Sequence, residues 1–103
     1  MIRVTVVYPN TPGSQFDIAY YCKTHIPLVR RLFGPALKNV AVEQGIAGGT
    51  PGSPAPYLAI GQLQFESVEE FQAAFAPCAQ EIMADIPNYT NTQPVIQISE
   101  VKL

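Results

Sequence analysis

The chain has 103 residues, of which 48% are apolar and only 14% charged, and its formal charge is −2. That length suits one domain spanning 1–103 with a modest core and excludes two independent ones. Six Lys and Arg without a cluster make no footprint for nucleic acid or an anionic membrane.

Ile2 to Tyr8 is rich in β-branched residues and reads as a strand. Pro9-Asn10-Thr11-Pro12-Gly13 ends it. Ser14, with Asp17 three residues on, resembles a helix start. On a helical wheel Ile18, Tyr21, His25, Leu28, Val29 and Leu32 share one face, with Lys23, Arg30 and Arg31 opposite. Pro27 lies inside this pattern, so a kink is expected beside His25. Gly34-Pro35 stops the helix. A second strand is expected over Leu37 to Ile46, then a Gly- and Pro-rich loop over Ala47 to Pro56 and a third strand over Tyr57 to Phe65. Ser67-Val-Glu-Glu70 is a capping box. Behind it Val68, Phe71, Phe75, Cys78, Ala79, Ile82 and Ile86 share a face, interrupted at Pro77. Asp85 to Pro94 reads as a loop and Val95 to Val101 as a last strand.

The order β-α-β-β-α-β predicts an α+β, ferredoxin-like fold: a four-stranded antiparallel sheet with two helices on one face. Several strands carry apolar residues on both faces, and charge is scarce against about 25% in an average domain. Both features predict that a second copy covers the other sheet face.

No apolar run is long enough for a membrane span, and the first residues lack a charged leader, so a cytoplasmic location is expected. Cys22 and Cys78 have no CxxC spacing and read as reduced thiols, Cys78 in the core. One histidine and two aspartates suggest no metal site, and no phosphate-binding loop is present.

His25 is the residue best suited to proton transfer near neutral pH. An imidazole packed between helix and sheet is the alternative for a lone histidine on an apolar face. Tyr21 stands one turn earlier on that face, so phenol and imidazole can converge on one ligand. Asp85 and Asn88 close the second helix and could orient His25 if the helix ends meet; helix termination alone would also explain them. Tyr8 and Tyr57 sit at strand ends, where a phenol can line a cavity or simply pack.

The run Phe16-Asp-Ile-Ala-Tyr20-Tyr21-Cys-Lys-Thr-His25-Ile-Pro27-Leu28 resembles the first-helix motif of the EthD family, a tyrosine pair followed by His-x-Pro. Tyr57-Leu-Ala-Ile, Leu63-Gln-Phe65-Glu-Ser and Asp85-Ile-Pro-Asn88-Tyr89 also resemble that family, so the likeness covers nearly the whole chain. It implies a homodimeric α/β barrel and a site around His25, with Tyr20, Tyr21, Asp85 and Asn88 as neighbours. The family takes its name from ethyl tert-butyl ether degradation. Similar folds serve cyclases, cofactor-free monooxygenases, isomerases and haem-degrading enzymes, so the fold does not select a reaction.

The leading expectation is a protein that binds a small apolar or aromatic oxygenated catabolite and performs cofactor-free acid/base chemistry of isomerase, cyclase or lyase type, or assists ether or aromatic degradation. His25 would move the proton, Tyr21 or Tyr57 would bind the developing oxyanion, and Asp85 or Asn88 would fix the imidazole. Tyr20, Tyr57 and Asn88 are the expected ligand-binding residues. A non-catalytic binding or accessory protein is the alternative. A haem protein with His25 as axial ligand, and a structural dimer without a pocket, are weaker readings.

Overall fold

A computed structural model describes Met1–Leu103. Four strands, β1 (Ile2–Pro9), β2 (Asn39–Gln44), β3 (Tyr57–Phe65) and β4 (Val95–Glu100), form one sheet in the order β2-β3-β1-β4. Every neighbouring pair is antiparallel. The two crossovers carry helices α1 (Ile18–Tyr20) and α2 (Ile26–Phe33), then α3 (Val68–Phe75) and α4 (Ala79–Asp85). This is the ferredoxin-like βαββαβ arrangement predicted from the pattern.

Alternation along β1 sends Ile2, Val4 and Tyr8 into the interior. Ile2 and Val4 pack with Val29 and Phe33 of α2, Phe65 of β3, Phe71 of α3, and Cys78 and Ile82 in one cluster. Phe65 stands 5.1 Å from both Phe33 and Phe71, ring centre to ring centre. Tyr8, Tyr21, Ile26, Ala59 and Tyr89 make a second cluster at the other end of the sheet. Both helical stretches therefore cover the same sheet face.

The first helix departs from the wheel. It starts at Asp17, whose carboxylate accepts from Tyr20 N–H at 3.0 Å. Ser14 instead accepts from Thr11 N–H at 3.2 Å in the preceding turn. Between α1 and α2, Tyr21–His25 form a π-helical turn, closed by the Ile26 N–H on the Tyr21 carbonyl. Pro27, which has no N–H to give, falls in the first turn of α2, where none is needed. The wider turn takes the place of a simple kink. It holds one residue more than an α turn, so the helix beyond it is rotated by about 100°. Ile26, Val29 and Phe33 are buried in consequence, and the expected Leu28 and Leu32 are only half-buried.

Gly34 ends α2 at φ 63°, a conformation suited to glycine. The Leu37 N–H is spent on the Gly34 carbonyl, so β2 starts two residues later than expected and runs Asn39–Gln44. In the second crossover the chain turns at Ala76–Cys78, as Pro77 requires, and separates α3 from α4. Ser67 caps α3 by accepting from Glu70 N–H at 3.1 Å. A 3-10 turn at Ile86–Asn88 occupies the start of the predicted 85–94 loop.

The sheet face away from the helices is less apolar than expected. Val7 lies opposite Ile60 and Val95, which makes a short apolar band. Beyond it come Thr5 with Gln62 and Gln97, then Arg3 with Gln64 and Ser99. No helix is long and apolar enough to cross a membrane.

Candidate functional site

The two clusters under the helices do not meet fully. A cavity of about 200 Å³ remains between sheet and helices. Val4, Val6 and Leu63 form its floor, Phe33 and Phe71 one wall, and Tyr8, Tyr21, His25 and Tyr89 its polar end. Met83 and Ile96 line it and are also solvent-exposed, so the cavity opens between α4 and β4.

The π turn delivers Tyr21 and His25 to the polar end, and both are buried. Their rings stack 16° from parallel with centres 5.4 Å apart. Gly61 in β3 faces this stack, and a Cβ there would collide with the Tyr21 hydroxyl. The glycine is the space that the phenol occupies.

The end of α4 supplies Asp85. Its Oδ2 lies 2.8 Å from His25 Nδ1. Its Oδ1 accepts from the Tyr20 hydroxyl at 2.7 Å and from Asn88 Nδ2 at 2.9 Å. An ionised carboxylate only accepts, so Nδ1 carries the imidazole proton and Nε2 presents a lone pair. Nε2 faces the Tyr89 hydroxyl at 3.5 Å, which is long for a hydrogen bond. Tyr89 in turn meets the Tyr8 hydroxyl at 2.8 Å.

The charges are set by this geometry. Burial lowers the pKa of His25 below its ordinary 6.5, and the bond to Asp85 offsets this only in part. Burial pushes the Asp85 carboxyl up, but bonds from Tyr20, Asn88 and His25 outweigh it and hold it below the usual range. The pair at neutral pH is thus a neutral imidazole on a carboxylate. Burial drives Tyr8, Tyr21 and Tyr89 upward, so these phenols keep their protons. The bond to Asp85 does the same for Tyr20. No group of three His, Cys, Asp or Glu comes together that could hold a metal ion.

Of the residues singled out in the sequence, His25, Tyr21, Asp85, Tyr20 and Asn88 thus form one connected network. Tyr57 stands apart: it is exposed at the far end of β3, in a surface depression with Ile46 and Ala55. It opens β3 outside the cavity, whereas Gly61 and Leu63 further along the same strand line it. Tyr8 and Tyr89 take the positions beside the imidazole. Of the two roles open to Tyr8 at its strand end, lining a cavity or packing, it takes the first, continuing the inward alternation of Val4 and Val6. Tyr89 sits in a turn and carried no such signal.

A ferredoxin-like α+β protein with a tyrosine–histidine–aspartate network set into an apolar cavity is the class that fold and geometry define. Residues 13–93 match the EthD domain model, and the chain belongs to the EthD family. It is 38% identical over 94 residues to an uncharacterized 11.0 kDa protein of the thcB-thcC intergenic region of Rhodococcus erythropolis, covering 88% of this chain and 85% of that one. An EthD-like protein of Ralstonia eutropha JMP134 superposes with a TM-score of 0.95 at 44% identity, over 99% of this chain and 92% of the other. A dimeric ferredoxin-like protein of unknown function from Thermobifida fusca YX shares the fold, with a TM-score of 0.58 at 16% identity over 97% and 90% of the two chains.

Proposed function

We propose that this EthD-family protein binds a small, mostly apolar oxygenated molecule in the cavity and moves a proton on it without a cofactor. The observation that carries this is the series Asp85–His25–Tyr89–Tyr8, which ends in the wall of an otherwise apolar space. Asp85 holds the imidazole by its Nδ1–H, so Nε2 is the base that faces the ligand. The imidazolium formed on proton transfer lies against the Asp85 carboxylate. Tyr89, backed by Tyr8, is the phenol placed to donate to an oxygen on which charge develops. This is the task first assigned to Tyr21 or Tyr57. Tyr21 packs flat on the imidazole and limits its rotation. Tyr20 and Asn88 hold the second carboxylate oxygen of Asp85. Isomerase, cyclase and lyase steps that begin with proton removal beside an oxygen all fit this arrangement, as does a place in ether or aromatic degradation.

The test is hydrogen–deuterium exchange at the α-carbons of cyclohexanone in D₂O, monitored by NMR. The wild-type chain is expected to accelerate exchange over buffer. His25→Gln should lose that acceleration by about 10²–10⁴-fold, the usual worth of a positioned acid/base group. Binding of the ketone without any exchange would sink the catalytic reading and favour the non-catalytic carrier.

We also propose a homodimer through the outer sheet face. The band Val95–Val7–Ile60 is its centre, and the scarcity of charge and the dimeric state of the Thermobifida fusca protein support it.

A further inference from the structure

The cavity also says what kind of molecule it accepts, an inference that rests on its being the ligand site. A comparable apolar cavity of about 150 Å³ holds benzene. About 200 Å³ therefore suits one six-membered ring with one or two small substituents.

Charge narrows the class further. No Lys or Arg lines the cavity. Lys23, Arg30 and Arg31 are all exposed to solvent. The one ionisable nitrogen present is a buried imidazole backed by a carboxylate 2.8 Å behind it. A ligand carboxylate would leave water, meet no cation and face Asp85 across one ring. Burying an unpaired charge costs far more than a small apolar contact returns.

Hydrogen-bond direction narrows it again. Asp85 commits the Nδ1 proton, so Nε2 can only accept. Its one neighbour, the Tyr89 hydroxyl, is 3.5 Å away and leaves that lone pair poorly used. Since Nε2 can only accept, the Tyr89 proton is the one that can point at it, and in the 2.8 Å pair of hydroxyls this leaves Tyr8 as the donor to Tyr89. A ligand that only accepts must pull Tyr89 away from this arrangement. A ligand hydroxyl beside the two atoms, within reach of both, can give its proton to Nε2 and take the proton of Tyr89.

We infer that the cavity selects a neutral, single-ring alcohol, phenol or enol, with its hydroxyl bridging His25 Nε2 and Tyr89 and its ring against the apolar floor. Such a site holds an enol better than the ketone it forms from, a preference that assists proton transfer at the neighbouring carbon.

Four probes of one shape separate the possibilities at pH 7.5: para-cresol, toluene, para-methylanisole and para-toluate. Binding is read from the ring signals of His25, the one histidine of the chain, and from the methyl signals of Val4 and Leu63. Para-cresol should bind about tenfold more tightly than toluene or para-methylanisole, the worth of one well-made hydrogen bond in a dry site. It should also shift Nε2. Para-toluate should leave the methyl signals unmoved at about 1 mM, the ceiling of weak binding. Tyr89→Phe should narrow the preference for para-cresol without weakening toluene. Equal affinity for toluene and para-cresol, or binding of para-toluate, overturns the inference. Silence from all four probes, toluene included, removes the ligand cavity itself and the proposed function with it. Selective binding together with no ketone exchange leaves the ligand class standing and removes only the catalysis.

Discussion

At the scale of single residues, the network around Asp85 works because each polar group has one role left to it. Asp85 can only accept, which sets the tautomer of His25; the buried phenols can only stay protonated. The same facts fix a pH dependence. His25 has a lowered pKa in the fold, so between that value and 6.5 the unfolded chain binds more protons than the folded one. Stability must then rise with pH through that window and be lost as pH falls. Asp85, also lowered, adds to the loss at more acid pH, as its carboxylate takes up a proton. Thermal unfolding of wild type from pH 4 to 8 should therefore show a falling Tm below about pH 6.5. His25→Gln, which cannot titrate, should be flat in the upper part of that range and slope only where the carboxylates protonate. Parallel curves for the two proteins would mean that the imidazole is not held neutral.

Gly61 offers a second test at this scale. Tyr21 is 2% exposed and packed against Tyr8, Phe16 and His25, so a new methyl group must push its ring out of that packing and toward the cavity. Gly61→Ala should cost about 1–3 kcal/mol, as overpacking does. It should also broaden or shift the His25 ring signals, because the stack on the imidazole is disturbed. An alanine variant as stable as wild type, with unchanged His25 signals, would show that the phenol has room to move.

Among the elements, local chemistry and global fold agree best in the second crossover. Ser67 caps α3, and Ser67→Ala should lower stability by about 1 kcal/mol. For a chain of this size that is a fall in Tm of roughly 4–8 °C, read by calorimetry. A fall under about 1 °C would mean that the Glu70 N–H finds water as a sufficient partner. The sheet was legible because period-two alternation and turn residues mark each strand. The first helix was legible only in part. Its wheel assumes one residue spacing throughout, whereas the π turn changes the phase after His25 and exchanges Leu28 and Leu32 for Ile26 and Phe33. Pro27 marked the place of the disturbance but not its kind. The meeting of His25 and Asp85, sixty residues apart, came from helix ends brought together over one sheet. The part taken by Tyr89 depended on a turn conformation that has no periodicity to betray it.

For the molecule as a whole, the question is what covers the second face of the sheet. Only one end of that face is apolar: Val95, Val7 and Ile60 lie side by side across three strands, and Val95 is 57% exposed. The rest carries amides and hydroxyls, which can remain wet or hydrogen-bond across an interface. A two-fold contact centred on Ile60 would bury the band against its own copy and leave Gln62 and Gln64 at the rim. The cavity lies on the opposite, helix-covered face, so breaking such a contact should spare the ligand site. Ile60→Arg places like charges together across the two-fold axis and should shift sedimentation equilibrium from dimer to monomer. The His25 ring signals and the affinity for para-cresol should stay as in wild type. A wild-type chain that sediments as a monomer would remove the dimer through this face. An arginine variant that remains dimeric would move the contact elsewhere, the exposed Ile96 and Ile98 of β4 being the next apolar surface to substitute. That second surface lies at the cavity mouth, so a dimer built there would couple assembly to ligand entry, whereas one built on Ile60 keeps them independent.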